Sequence, residues 1–244
     1  GRTATLAYDD TGRLISITDV LGMVSAFTYD DGSFINTLTT PYGKSQFSYG
    51  EDGTQNWLNL TDALGQTERV EFNQNAPGIP FSDPVAPEGM NLFNAYQMDR
   101  NSFYWDAHAW AAGGEDYANA HLYHWLHWEP NTSLASGVLE SQKDPLTRRV
   151  WYNYPGQVWS GGTGTLNLPS LIGLVLEDGT TQLTQMGYGD YGHITSFTDP
   201  ASRETLFTYA ANGIDLTEVA QKTQSGQDTL FQASYDHRHL PLTI

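Results

Sequence analysis

Leu6-Ala7-Tyr8-Asp9-Asp10-Thr11-Gly12-Arg13-Leu14-Ile15-Ser16-Ile17-Thr18-Asp19-Val20-Leu21-Gly22 is the stretch that decides the fold. It reads as strand, tight turn, strand, second turn. Asp side chains bond their own backbone, and Gly takes a positive φ without a Cβ clash, so Asp9 to Gly12 supplies a turn. Arg13 to Thr18 then alternates, with Leu14 and Ser16 on one face and Ile15 and Ile17 on the other. Thr18-Asp19 to Gly22 makes the next corner.

The same sentence recurs along the chain. Gly1 precedes Tyr8 as Gly22 precedes Tyr29 and Gly65 precedes Phe72. Gly43 stands one residue closer to Tyr49. Successive strand ends are Leu6-Ala7-Tyr8, Phe27-Thr28-Tyr29, Phe47-Ser48-Tyr49 and Val70-Glu71-Phe72. The interval is about 20 to 23 residues, a length that marks repeat architectures. The pattern resumes at Tyr188, with Gly192 in its turn, and runs through Tyr209, Asn212-Gly213 and Tyr235-Asp236. Asn212-Gly213, Asp31-Gly32 and Asp52-Gly53 are hairpin-turn signals. Glu177-Asp178-Gly179 adds another, between Gly173–Leu176 and Thr180–Thr184.

The middle differs. Asn75 to Pro87 carries Pro77, Pro80, Pro84 and Pro87, which predicts an irregular connection. An aromatic-rich segment follows. Asn101–Trp105 and His121–Trp128 read as strands, and Arg149–Gly156 as a third with a sharp stop. Ala107–Ala120 admits a helix that Gly113-Gly114 weakens. The chain therefore divides into repeats over 1–72, a Pro-rich and aromatic-rich divergent segment over 73–173, and repeats over 174–244.

Composition narrows the function classes. The chain has 244 residues, 39% hydrophobic and 13% aromatic, but only 16% charged. Surface polarity must then come from Thr, Ser, Asn, Gln and Gly, which suits a β protein with many turns. A net charge of −17 argues against nucleic acid and against a polybasic membrane contact. There is no Cys, hence no disulfide or thiolate chemistry. No apolar run approaches the roughly 20 residues of a membrane span, and no signal peptide opens the sequence.

The units Tyr8–Leu14 and Tyr188–Ile194 resemble the YD repeat of the RHS (rearrangement hot spot) family. The Thr-Asp-x-x-Gly corners at Thr18–Gly22 and Thr61–Gly65 match as well. Ala210–Leu216, His239–Thr243 and Arg149–Gly156 are similar to stretches common in bacterial RHS proteins. The resemblance covers about 1–72 and 174–244. It implies an all-β fold of repeated antiparallel hairpins in a curved or spiralling sheet, the wall of a large hollow shell. Teneurins and the shell-forming parts of bacterial toxin complexes share that plan. Tyr8, Asp9, Gly12, Tyr29, Tyr49, Gly65, Tyr188, Gly192, Tyr209, Gly213 and Tyr235 are the repeat-defining positions. The implied partners are neighbouring repeats and a toxin cargo, in a secreted or cell-surface bacterial protein. This chain is too short to close a shell and reads as a piece of one. The self-cleaving signature of some family members is not matched, because Asp144-Pro145 and Asp199-Pro200 lack its context.

The candidate chemistry is sparse. The turn residues Asp9, Asp10, Asp30, Asp31, Asp52 and Asp190 fit turn capping better than calcium binding, since their spacing matches neither calcium loop. His121, His124 and His127 would share a helix face and could hold a metal there. On a strand only His121 and His127 share a face, about 20 Å apart at about 3.3 Å per residue. Trp105, Trp110, Trp125 and Trp128 either stack on a carbohydrate or fill a core. There is no nucleophile elbow, no His-Glu-x-x-His and no phosphate loop, since Gly161–Gly164 lacks the Lys. The reading is a structural, non-enzymatic shell segment without cofactor or metal. Two alternatives stand beside it: glycan or partner binding by the insertion, and self-association through open sheet edges.

Overall fold

The computed structural model describes residues 2–244, so the corner expected to end at Gly1 lies outside the described residues. The strands are β1 (Thr5–Tyr8), β2 (Leu14–Thr18), β3 (Val24–Tyr29), β4 (Ile35–Thr40), β5 (Gly43–Asp52), β6 (Gln55–Thr61), β7 (Thr67–Asn73), β8 (Asn101–Trp105), β9 (His121–Trp128) and β10 (Asn131–Lys143). They continue as β11 (Val150–Asn153), β12 (Leu171–Val175), β13 (Thr181–Tyr188), β14 (Ile194–Thr198), β15 (Glu204–Tyr209), β16 (Leu216–Thr223), β17 (Gly226–Gln232), β18 (Ser234–Tyr235) and β19 (Pro241–Thr243). One helix, α1 (Ala107–Gly113), and a 3-10 turn at Tyr117–Asn119 complete the elements. Seventeen strands belong to one antiparallel sheet, and β18 with β19 forms a separate pair. The all-β hairpin fold read from the sequence is the fold observed.

The chain divides into two compact units. The first comprises the chain up to Pro80, Met98–Tyr123 and Asp144–Leu146. Within it β1 to β8 form a meander, each strand antiparallel to its chain neighbour. No residue from Arg2 to Glu68 is buried, so β1 to β6 are a single sheet layer. Burial starts at β7. Arg69, Glu71 and Asn73 on one face of β7 are buried, and they pair across to Trp105, Phe103 and Asn101 of β8. Phe103, Trp105, Ala76, Ala120 and Leu122 form the core there, with Ile79, Ala109, Trp110 and Tyr117 packed against it. α1 begins at Asp106, whose carboxylate accepts from the Ala109 N–H, and stops at Gly114 with φ 57°. Gly113-Gly114 thus ends the helix well before Ala120.

The second unit comprises Phe81–Gln97, His124–Lys143 and Thr147–Ile244. Here β10 to β17 form another antiparallel meander. Leu126, Val138 and Tyr154 form its small core, with Tyr152 alongside. The segment between β7 and β8 contains no strand, as its prolines predict. No helix among the described residues is long and apolar enough to cross a membrane.

Candidate functional site

The repeats build a seam along the turns that follow Tyr. Five of these turns close in one way; Tyr49 is the exception and not the strand end expected, because β5 runs on to Asp52 in register with β6. The N–H after the Tyr bonds a carbonyl across the turn: Asp9 to Arg13, Asp30 to Phe34, Gly189 to His193, Ala210 to Asp215 and Asp236 to Leu240. The turn acid caps the loop from inside. Asp9 Oδ1 accepts from the N–H groups of Thr11 and Arg13, and Asp236 Oδ1 from those of Arg238 and Leu240. Gly12 and Gly192 take the left-handed position, with φ 86° and 76°. His239 takes it at 63°, where a Cβ is tolerated at some cost. Gly32 does not, yet the hairpin expected at Asp31-Gly32 forms between β3 and β4, with Gly32 N–H donating to Asp30 Oδ1.

The strict alternation expected over Leu14–Ile17 is also corrected. Ala7 pairs with Ser16 and Tyr8 with Leu14, leaving Ile15 as an unpaired bulge residue. The same bulge recurs at Asn36, Thr195, Thr217 and Leu242. A bulge bends its strand and adds twist. Consequently the β2–β3 ladder ends at the Ser16–Ala26 rung, and the Leu14 carbonyl lies beyond it. A carbonyl without a ladder partner needs another donor. Tyr29 of the next hairpin supplies it, its hydroxyl donating to Leu14 O at 2.7 Å. Tyr209 donates likewise to Ile194 O at 3.1 Å, and Tyr235 to Leu216 O at 3.1 Å. Tyr188 donates to Pro169 O at 2.8 Å. Tyr8 and Tyr49 lie 57% and 53% exposed.

A second link was missed in the sequence. The residue that closes each turn reaches the following hairpin. The Arg13 guanidinium sits 4.9 Å over the Tyr29 ring and donates to Gly32 O at 2.6 Å. Phe34 meets Tyr49 at 4.4 Å, and His193 stacks on Tyr209 at 5.0 Å. Asp215 engages His239 Nδ1 at 3.0 Å. Arg, Phe, His and Asp share no chemistry, so no sequence pattern marks the position. Its only signal is its place next to the turn.

In the first unit the buried β7 face holds a polar network. Arg69 donates to Glu71 Oε2 at 2.8 Å and pairs with Glu115 at 3.2 Å. Its guanidinium lies between the Trp57 ring at 4.7 Å and the Trp110 ring at 5.3 Å. Tyr117 and Asn73 both donate to Glu71 Oε1, at 2.6 and 3.1 Å. Burial pushes the Glu71 carboxyl up, but hydrogen bonds from Tyr117, Arg69, Gln55 and Asn73 outweigh it and hold the carboxyl below its usual range. Burial and the Glu71 charge push the Tyr117 phenol up, so Tyr117 is the donor. Gly50 makes the sandwich possible, because a Cβ there would meet the Trp57 ring at 2.5 Å.

The four candidate stacking tryptophans fall into different settings. Trp105 is fully buried and offers no face to a sugar. Trp110 packs edge-on against it, centroids 6.0 Å apart. Trp125 is half-buried on β9, and Trp128 is 46% exposed at its end. β9 is a strand, and its histidines have separate partners. His121 lies 2.8 Å from Asp144, and buried His124 lies 3.4 Å from buried Glu140. His127 Nδ1 donates to Thr132 O at 2.6 Å. Among the described residues no three metal-ligating side chains converge. Gly161 and Gly162 serve packing: Cβ atoms there would run into Trp159 and Glu129.

These features define an all-β repeat protein made of interlocked hairpins. Residues 8–45 match the family model of the RHS Repeat, so the resemblance read from the Tyr-Asp units is confirmed over that stretch. No curated protein matches the chain in sequence. Its fold is similar to the crystal structure of TcdB2-TccC3-Cdc42, with TM-score 0.54, 10% identity and 98% of this chain covered. TcdB2-TccC3 gives 0.52 at 12% identity over 96% of this chain. A Photorhabdus luminescens Tc holotoxin pore with a TccC3 mutation gives 0.51, again at 12% and 96%. The chain spans 11% of the length of each of those chains.

Proposed function

We propose that this chain is a stretch of the wall of an RHS-type β-shell, and that the complete shell encloses or displays a toxin or effector. The role is mechanical rather than catalytic. The observation that carries it is the seam: Tyr29, Tyr209 and Tyr235 each bond the preceding hairpin through the hydroxyl, and turn-closing side chains reach the following one. Such nearest-neighbour bonding suits an array that extends by adding units. In this reading the stretches 1–72 and 174–244 are regular wall, and 73–173 is a divergent insertion. Secretion or surface display by a bacterium follows from the same reading. The test is proteolysis of the full-length protein under native conditions. A cargo segment that resists protease until the shell is denatured supports enclosure. A cargo segment digested as fast as a free polypeptide would rule it out.

A second reading places glycan contact at Trp128, whose ring is available at the end of β9. Trp125, three residues back on the strand, projects from the opposite face and takes no part in that contact. A glycan array should then give hits that Trp128→Ala removes. An array without hits eliminates this reading and leaves the first intact.

A further inference from the structure

We infer that a small cavity beside the β10–β11 hairpin, in the second unit, is a binding site for an oxyanion group, a carboxylate or a phosphate. The cavity is about 190 Å³ and is lined by Asp83, Val85, Lys143, Thr147, Arg148, Arg149 and Val175. Three of the chain's 11 Lys and Arg residues therefore line one small space, in a chain of net charge −17. That concentration of positive charge runs against the composition of the whole molecule.

The charge there is offset in part, at Arg149, while Lys143 and Arg148 stay outside ion pairs among the described residues. Arg149 is buried and held from one side: its Nε donates to Asp83 Oδ2 at 3.1 Å and its Nη1 to Ser141 Oγ at 2.9 Å. The Trp151 ring lies 5.5 Å from its guanidinium carbon. Asp83 is thus spent on Arg149. The nearby carboxylate Glu140 faces His124. Asp144, next to Lys143 in sequence, is engaged by His121 at 2.8 Å. Lys143 and Arg148 enter no ion pair among the described residues. Two cations outside any ion pair and a fixed guanidinium form a donor set for an anionic oxygen group.

Size selects the ligand class. At about 30 Å³ per water molecule the cavity holds about six waters. That suits a carboxylate or phosphate group and is too small for a whole nucleotide or oligosaccharide, whose pockets run to several hundred Å³.

The test is isothermal titration of the full 244-residue chain with sodium phosphate and, separately, sodium acetate, at matched ionic strength in chloride. One-site saturable binding of either ion is expected, and the ion that binds more tightly identifies the oxyanion type. The double variant Lys143→Gln/Arg148→Gln should bind at least about tenfold more weakly, the loss expected for a charge-assisted hydrogen bond. Lys44→Gln, an exposed cation elsewhere, should bind as the parent does. Circular dichroism checks that the double variant is folded. No saturable binding of either ion, or equal affinity in the parent and a folded double variant, would overturn the site.

Discussion

Residues 2–68 and residues 69–175 are both strands and turns, yet they hold together differently. The first stretch buries no residue, while the second contains nearly every buried side chain of the molecule. In the repeats cohesion comes from edges: capped turns, Tyr hydroxyls on displaced carbonyls, and rings stacked from one hairpin to the next. In the divergent segment it comes from layering, with α1 and the 3-10 turn lying over a sheet face that carries Trp105, Phe103 and a buried ion pair. A single sheet layer has no interior, so its stability must be spread over many small contacts. A covered face concentrates it in a few residues.

Substitutions can break that comparison. Trp105→Ala should cost about 3–5 kcal/mol, the usual loss for a buried large aromatic. Ile17→Ala in the single-layer region should cost well under half of that. Denaturant unfolding of both variants reads the difference, and equal losses would erase the distinction. Next in size is Gly50→Ala. Its Cβ would overlap the Trp57 ring, so a loss of roughly 1–3 kcal/mol is expected, with a change in tryptophan fluorescence as the Arg69 sandwich is disturbed. Tyr209→Phe keeps the ring and its stack on His193 but removes the hydroxyl bond to Ile194. A loss of about 1 kcal/mol is expected, with faster amide exchange confined to β14 and β15. Unchanged exchange there would show that the seam bond contributes nothing.

The smallest effect is on acidification. A side-chain hydrogen bond from Thr11, followed by bonds from Arg13, holds the Asp9 carboxyl below its usual range. Backbone bonds from Arg203 and from Leu240 do the same first for Asp199 and Asp236. A carboxyl depressed in the folded state stabilises it above the unfolded value of about 3.9 and loses that contribution as pH falls toward the lower folded value. The turns should therefore stay formed near pH 4 and loosen only below it. Carboxyl-carbon NMR titration checks this, and ordinary midpoints for all three residues would contradict it.

Much of this was legible beforehand because turns are local. Asp9, Asp19 and Gly12 act on backbone within a few residues, so their spacing alone specifies them. β8 and β9 were legible from their aromatic enrichment, and their bounds agree with the structure. What escaped depends on residues distant in sequence. The bulge at Ile15 arises from how two strands pair, and nothing in Leu14-Ile15-Ser16-Ile17 distinguishes it from plain alternation. The burial of Arg69 and Glu71 was equally hidden. Val70-Glu71-Phe72 reads as one more strand end, and only the covering segment Ala107–Asn119 turns its charged face inward. Of the four candidate tryptophans, Trp105 shows the same limit: its role was decided by what lies over β8.

The hydroxyl bond from Tyr29 to Leu14, and its counterparts at Tyr209 and Tyr235, carry an evolutionary consequence. The donor follows its acceptor by 15 residues at Tyr29 and Tyr209 and by 19 at Tyr235, an even difference that keeps the same side chains on the same face. Duplicating or deleting a whole hairpin leaves every such length unchanged, so a gene can grow or shrink here by complete units. Losing one codon inside a hairpin displaces the hydroxyl from its carbonyl and flips the following side chains to the opposite face. Frame-preserving variation in these stretches should therefore come as whole repeats or as even steps within a hairpin, with single-residue indels confined to loops that lack the seam.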